Sequence, residues 1–245
     1  MDEWEDFEDS EYQEKYDEFK ENLENFIRKN NTKKVLKLIP DLNMYKDHSI
    51  LYYTMINNNI DMFEYMVKKN YRDENLLIDL LCRPLRLNSS KKIYRKVLQH
   101  ITDINKIYRY GDTALHLLVK LDNTKINSEI KKWLILKLLK YGADPCIKND
   151  DLASCIDIAL SKEDEESLTI LIKHVDKKNI DISHDNFIEA IVENNNYDII
   201  DMVLPYVKDI NLRDYENKTA LWHAKNKRNP NYDIIELLEE SGAII

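Results

Sequence analysis

At 245 residues, with three glycines and five prolines, the chain is long enough for a large domain or a short repeat array but too poor in turn residues for an all-β fold. Its net charge of −9 sits entirely in residues 1–21, where eleven acids meet only Lys15 and Lys20; the balanced remainder carries no basic footprint for nucleic acid. No apolar run approaches the ~20 residues that cross a bilayer, which excludes a membrane-spanning helix.

The acidic start is unlike a secretory or transit signal, so a cytoplasmic protein is expected. The same segment carries Trp4, Phe7, Tyr12, Tyr16 and Phe19. At about 100° per residue, Tyr12, Tyr16, Phe19, Leu23 and Phe26 fall within roughly 80° of one another. That stripe predicts one helix from about residue 10 onward, with acids on the opposite face, docked as a cap. Trp4 and Phe7 lie off the stripe. With the surrounding acids they are candidates for a hook on a basic partner.

Further along, Ser49-Ile50-Leu51-Tyr52-Tyr53-Thr54 predicts a short helix, Asn57-Asn58-Asn59 a turn, and residues 60–67 a second amphipathic helix. Residues 73–102 repeat that length, interrupted at Pro84 and 85–90. From residue 111 the pattern is clearer. First helices are expected to start at Thr113, Ser154, Asp185 and Thr219, each a residue that can cap free amides. Second helices follow at 133–139, 168–172, 199–204 and 234–238, and residues 121–129 form a longer loop. Leu115, Ile156, Phe187 and Leu221 point inward, and small Ala159, Ala190 and Ala224 let neighbouring helices approach.

Gly111-Asp112-Thr113-Ala114-Leu115-His116 matches the G-x-T-P-L-H phrase that opens an ankyrin repeat, with Ala114 in the proline slot. Leu138-Leu139-Lys140-Tyr141-Gly142-Ala143-Asp144 matches the L-L-x-x-G-A-D phrase that closes one. A weaker copy runs from Asn217-Lys218-Thr219-Ala220-Leu221-Trp222 to Leu237-Leu238-Glu239-Glu240-Ser241-Gly242-Ala243. The chain therefore resembles the ankyrin-repeat family. The resemblance implies an all-α solenoid of about six to seven helix-turn-helix repeats over residues 22–245, with short hairpin fingers, preceded by the acidic segment 1–21.

Members of that family usually hold partner proteins and rarely carry out chemistry. The resemblance implies a binding surface on the concave side, across the fingers and first helices. Its finger tips include Tyr45, Tyr108, Arg109, Tyr110, Asp150 and Tyr215, and Tyr and Arg are the residues that dominate interface hot spots. It also implies that His116 ties adjacent repeats through side-chain hydrogen bonds. Trp222 replaces that histidine in the last repeat, with His223 at the following exposed position. No enzyme motif, cofactor fingerprint or metal-ligand spacing appears, and Cys82, Cys146 and Cys155 read as reduced structural thiols. No catalytic, cofactor or metal residue is therefore assigned, and a monomer is expected. The Asn/Lys/Ile/Tyr-rich composition points to an AT-rich genome, where ankyrin proteins resemble host-directed factors. The alternative is an inhibitor or immunity-type protein that blocks a basic partner with its acidic segment.

Overall fold

The computed structural model describes residues 5–29, 31–38, 49–68, 74–82, 90–122, 127–175, 180, 182 and 184–245, without the side chains of 5–12, 32, 36, 49–50, 74, 82, 184–186 and 194. The described residues form fourteen α-helices and no strand. They fall into two compact units, Met1–Thr102 with Lys125–Asn127, and Asp103–Thr124 with Ser128–Ile245.

In the first unit, α1 (Glu5–Arg28) is continuous across residues 21 and 22. It packs on α2 (Thr32–Lys37) and α3 (Ser49–Ile56) by burying Phe19, Leu23 and Ile27, a line of residues four apart. The expected stripe is thus slightly rotated. Ile27 takes the central place given to Phe26, whose ring stays half-buried under the Lys34 ammonium 4.9 Å away. Tyr16 is also half-buried, while Glu14, Asp17, Glu18 and Glu21 face solvent.

The turn after α3 is made by Asn58, left-handed at φ 52°, a conformation asparagine tolerates. Asn59 then caps α4 (Ile60–Lys68) by accepting the Met62 amide at 3.1 Å, and donates its own amide to the Ile27 carbonyl at 3.4 Å. α5 (Glu74–Cys82) and α6 (Lys91–Leu98) pack together as a further helix pair. The interruption at Pro84 and most of 85–90 lies outside the described residues. α3 contacts α5 and α4 contacts α6, the latter seam bridged by Lys96 Nζ to Glu64 at 2.8 Å.

The second unit begins with the pairs α7 (Ala114–Lys120) with α8 (Ser128–Lys140), and α9 (Cys155–Ser161) with α10 (Glu165–Lys173). α11 (His184–Glu189) runs into a π turn (Ala190–Asn194), followed by α12 (Tyr197–Val203) and a 3-10 turn (Leu204–Tyr206). α13 (Ala220–Asn226) and α14 (Tyr232–Glu240) close the unit. First helices pack in succession, α7 on α9, α9 on α11, and α11 on α13. Among second helices, α8 packs on α10 and α12 on α14.

The core follows the expected pattern. Leu115, Ile156, Phe187 and Leu221 are buried, and buried Ala159, Ala190 and Ala224 keep the first helices close. Wider turns at the π segment leave a carbonyl to satisfy. Lys227 Nζ donates to Ile191 O there at 2.8 Å, and burial holds its ammonium below the usual lysine range against the opposing pull of Glu193.

Candidate partner-binding surface

Three five-residue loops of the second unit, 108–112, 149–153 and 214–218, are built to one plan. Each closes with a backbone hydrogen bond: Tyr108 N to Asp112 O at 2.8 Å, Asn149 N to Ala153 O at 3.0 Å, and Asp214 N to Lys218 O at 3.0 Å. In each, the fourth residue is left-handed: Gly111 at φ 71°, Leu152 at 59° and Asn217 at 62°. The first residue folds two of the loops through its side chain. Asn149 Oδ1 accepts the amides of Asp151 and Ala153 at 3.1 and 3.0 Å, and Asp214 Oδ1 accepts those of Glu216 and Lys218, both at 2.9 Å. Tyr108 has no such acceptor, and its loop turns instead through Tyr110 at φ 62° as well as Gly111.

The first two loops are bonded to each other. Asp150 N donates to Tyr110 O at 3.1 Å, and Asn149 Nδ2 donates to Asp112 Oδ1 at 3.0 Å. Asp112 is buried and receives Lys120 Nζ on both carboxylate oxygens, at 2.7 and 2.6 Å. A β-carbon on Gly111 would overlap the Asp150 amide and lie 2.6 Å from its carboxylate. The close approach of the two loops therefore requires glycine at that point.

Beneath the loops, the helix-opening phrases lock the first helices. His116 Nδ1 accepts the Thr113 amide at 3.1 Å and lies 2.9 Å from Thr113 Oγ1, while Nε2 sits 3.3 Å from the Ala153 carbonyl. Burial depresses the protonation of this imidazole, against the pull of the Ala153 carbonyl and Asp112, so the ring is held neutral. In α9 the same position is Asp157, whose Oδ2 accepts the Ser154 amide at 2.8 Å, the Ser154 hydroxyl at 2.7 Å and Lys148 Nζ at 2.8 Å. In α13, Thr219 Oγ1 accepts the Trp222 amide at 3.3 Å and donates to Ile244 O at 2.7 Å.

The expected contact residues divide as follows. Tyr108 is half-buried; Arg109 and Asp150 are exposed, Tyr110 is 75% exposed and Tyr215 96%. Tyr110 and Asp150 are neighbours on the bonded pair of loops, and Tyr215 stands on the third. Tyr45 and Trp4 lie outside the described residues, as does the side chain of Phe7.

His223 is not in the exposed position expected for it. Its Nε2 lies 2.6 Å from Asp214 Oδ2, with the ring half-buried beside Trp222, over which Lys218 Nζ sits at 3.9 Å. The reason is that Asp214 turns its second oxygen toward α13 while the first folds the loop. The Lys218 amide, then His223, hold the Asp214 carboxyl below the usual range.

Two features escaped the sequence reading. Leu152 is 76% exposed at the tip of the second loop. Its only signal is alignment with Gly111 and Asn217, a slot where leucine is out of place. The second is a buried ion pair, Lys131 Nζ to Asp164 Oδ2 at 2.8 Å, with side chains only 3% and 5% exposed. Lys131 also donates to Leu121 O at 2.9 Å. Asp164 accepts the Ser167 amide and hydroxyl at 3.2 and 2.7 Å. Burial would raise the Asp164 carboxyl, but Lys131 and Ser167 outweigh it and hold it low. Among the described residues no three metal-ligating side chains converge, and no helix is long and apolar enough to cross a membrane. No protein-family model matches the chain, and no curated protein matches it.

Proposed function

We propose that the chain is an ankyrin-like solenoid that captures a partner protein on its fingers and performs no chemistry of its own. The observation that carries this is the set of exposed apolar tips, Tyr110, Leu152 and Tyr215, on hydrogen-bonded loops. Two of them, Tyr110 and Leu152, are held in left-handed backbone that disfavours side chains by roughly 1–3 kcal/mol. Neither recovers that cost by burial. Strain of this kind collects where a ligand is gripped.

Recurring bonds support the repeat architecture. Asn105 donates to Gly142 O at 3.0 Å and accepts the Asp144 amide at 2.9 Å. Asn211 does the same to Gly242 O and the Ile244 amide, at 3.1 and 2.8 Å. Among the described residues, α3 packs on α4, α5 on α6, α7 on α8, α9 on α10 and α13 on α14, which supports a repeated helix pair. The His116 bond to the next loop is the tie that the family resemblance implies.

Asp150 and Asp151 flank Leu152, Arg109 stands beside Tyr110, and Glu216 beside Tyr215 is paired with Lys218 at 2.6 Å, so the partner surface presents apolar residues bordered by charges of both signs. In a host-directed role the partner is a host protein. The test is capture from host lysate by the intact chain and by a variant with Tyr110→Ser, Leu152→Asn and Tyr215→Ser. A protein captured by the first and at least about tenfold depleted with the second, at unchanged Tm, supports the proposal. Equal recovery sinks it. Neutralising Glu3, Glu5, Asp6 and Glu8 should leave capture intact; a loss there would move the contact to the acidic segment.

A further inference from the structure

The seams between neighbouring second helices differ in charge. Lys96 meets Glu64 across α4 and α6 at 2.8 Å, and Lys132 meets Glu166 across α8 and α10 at 2.5 Å. The α12–α14 seam has no such pairing. Asn196-Tyr197-Asp198-Ile199-Ile200-Asp201 and Asn231-Tyr232-Asp233-Ile234-Ile235-Glu236 are nearly the same phrase, so both helices present acids at matching positions. Among the described residues Asp201, Asp233, Glu236 and Glu240 form no ion pair.

The seam is also open. α12 has seven residues, and Pro205 in the following 3-10 turn lacks the amide needed to continue the helix. α14 has nine, and its Leu237, with Ser241 just beyond it, faces the same hollow as the chain that leaves α12. There is a groove of about 460 Å³ lined by Leu204, Pro205, Val207, Ile210 and Leu237 together with the polar Asp201, Lys208 and Ser241. It meets, at Leu237, a second hollow of about 260 Å³ between Tyr197 and the Asp233, Glu236 and Glu240 carboxylates. On α14, Asp233, Glu236, Leu237 and Glu240 share one helical face, opposite buried Ile234, Ile235 and Leu238.

We propose that this groove is a second docking site, for a basic amphipathic segment of a partner protein. Its apolar side chains enter between Leu204, Val207 and Leu237, and its Lys or Arg side chains meet the four carboxylates. A basic segment is favoured over an acidic or purely apolar one, because the four carboxylates outnumber the single cation Lys208 of the lining and desolvating them unpaired is costly. This site shares no residue with the fingers, so it stands or falls independently of them.

The test uses the intact, methyl-labelled chain and a synthetic Leu/Lys amphipathic helix of about 14 residues, with its Leu/Glu counterpart as comparison. The expected result is chemical-shift change confined to the methyls of Leu204, Val207, Ile210 and Leu237, saturating with the Leu/Lys peptide only. Glu236→Lys with Glu240→Lys should weaken binding at least about tenfold; lysine in a last turn suits a helix, so the fold is retained. The milder Glu236→Gln with Glu240→Gln should weaken it less, while Glu14→Lys with Glu189→Lys, which makes the same charge change elsewhere, should leave the groove shifts in place. Shifts that map to α1 instead, equal binding of both peptides, indifference to the groove substitutions, or no shift at all would each overturn the proposal.

Discussion

The middle of the second unit carries a fully buried ion pair between helix pairs, whereas its C-terminal part relies more on side chains bonded to backbone carbonyls. Around residues 112–164 buried carboxylates each hold a lysine: Asp112 and Asp157 take the partly exposed Lys120 and Lys148 of their own segments, and Asp164 takes the buried Lys131 of α8. Beyond residue 190 side chains run mostly to backbone carbonyls, Asn231 to Asn195 O, Asn211 to Gly242 O, Thr219 to Ile244 O and Lys227 to Ile191 O, beside the Asp214–His223 and Lys225–Glu239 pairs. A charged tie inside the protein is unforgiving, because losing one partner strands the other away from water. An amide tie nearer the surface loses little when broken, since water takes its place. The paired fingers of Tyr110 and Leu152 stand on the unforgiving part, and the open α12–α14 groove on the forgiving part.

The sharpest way to break the contrast is to cut one tie of each kind. Asp164→Ala strands the Lys131 ammonium and should cost about 3–5 kcal/mol in a urea titration. Replacing both partners, Lys131→Met with Asp164→Leu, should recover most of the loss. Equal losses in the single and double variants would show that the pair is not a linked charge tie. Asn231→Ala, which removes a helix cap and one neutral tie, should cost only about 1 kcal/mol by the same titration. A cost equal to that of Asp164→Ala would erase the distinction.

The pH dependence sharpens the same comparison. His116 is held neutral by burial, so the unfolded chain takes up its proton first. Stability should then fall as pH drops below the ~6.5 of an exposed histidine, well before carboxylates titrate. Asp164, held low, contributes stability present above the ordinary ~3.9 of aspartate and lost as pH falls through its depressed value. His116→Gln should therefore flatten the Tm profile between about pH 7 and 5 and leave the steeper acid limb below about 4. A profile unchanged by the substitution would contradict the neutral imidazole.

The smallest expected effect concerns backbone strain alone. Glu163 is exposed and left-handed at φ 54° between α9 and α10, where asparagine serves in the equivalent turns at Asn58 and Asn195. Glu163→Asn should raise stability by up to about 1 kcal/mol, read as a Tm increase. A decrease would mean that Glu163 makes a contact worth more than its strain.

The helices were legible because amphipathic spacing and capping residues are local. Residues 60–67, 133–139, 168–172 and 234–238 all fall inside the helices found, and 199–204 overruns α12 by one residue into the 3-10 turn at Leu204. Lys131 was not legible, since a lysine on an amphipathic helix reads as solvent-facing until a carboxylate from the next turn meets it. His223 was misplaced for a similar reason: Asp214, nine residues earlier, reaches back to it only once its loop is folded. Leu152 carries no periodic signal, because a finger tip obeys its turn rather than its helix. The twin phrases at 196–201 and 231–236 are plain in the sequence, yet their meaning depends on the two helices lying side by side.

Gly111 sets a limit on how freely this scaffold could be recoded. Gly142 and Gly242 share its left-handed backbone, but a β-carbon on either would meet nothing within 4 Å, so asparagine is a workable substitute there. At Gly111 both the backbone and the neighbouring loop forbid a side chain. A randomised finger library could vary residues 109, 110, 150–152 and 215–216 for new targets, whereas every member that changes residue 111 should drop out during selection for folded protein.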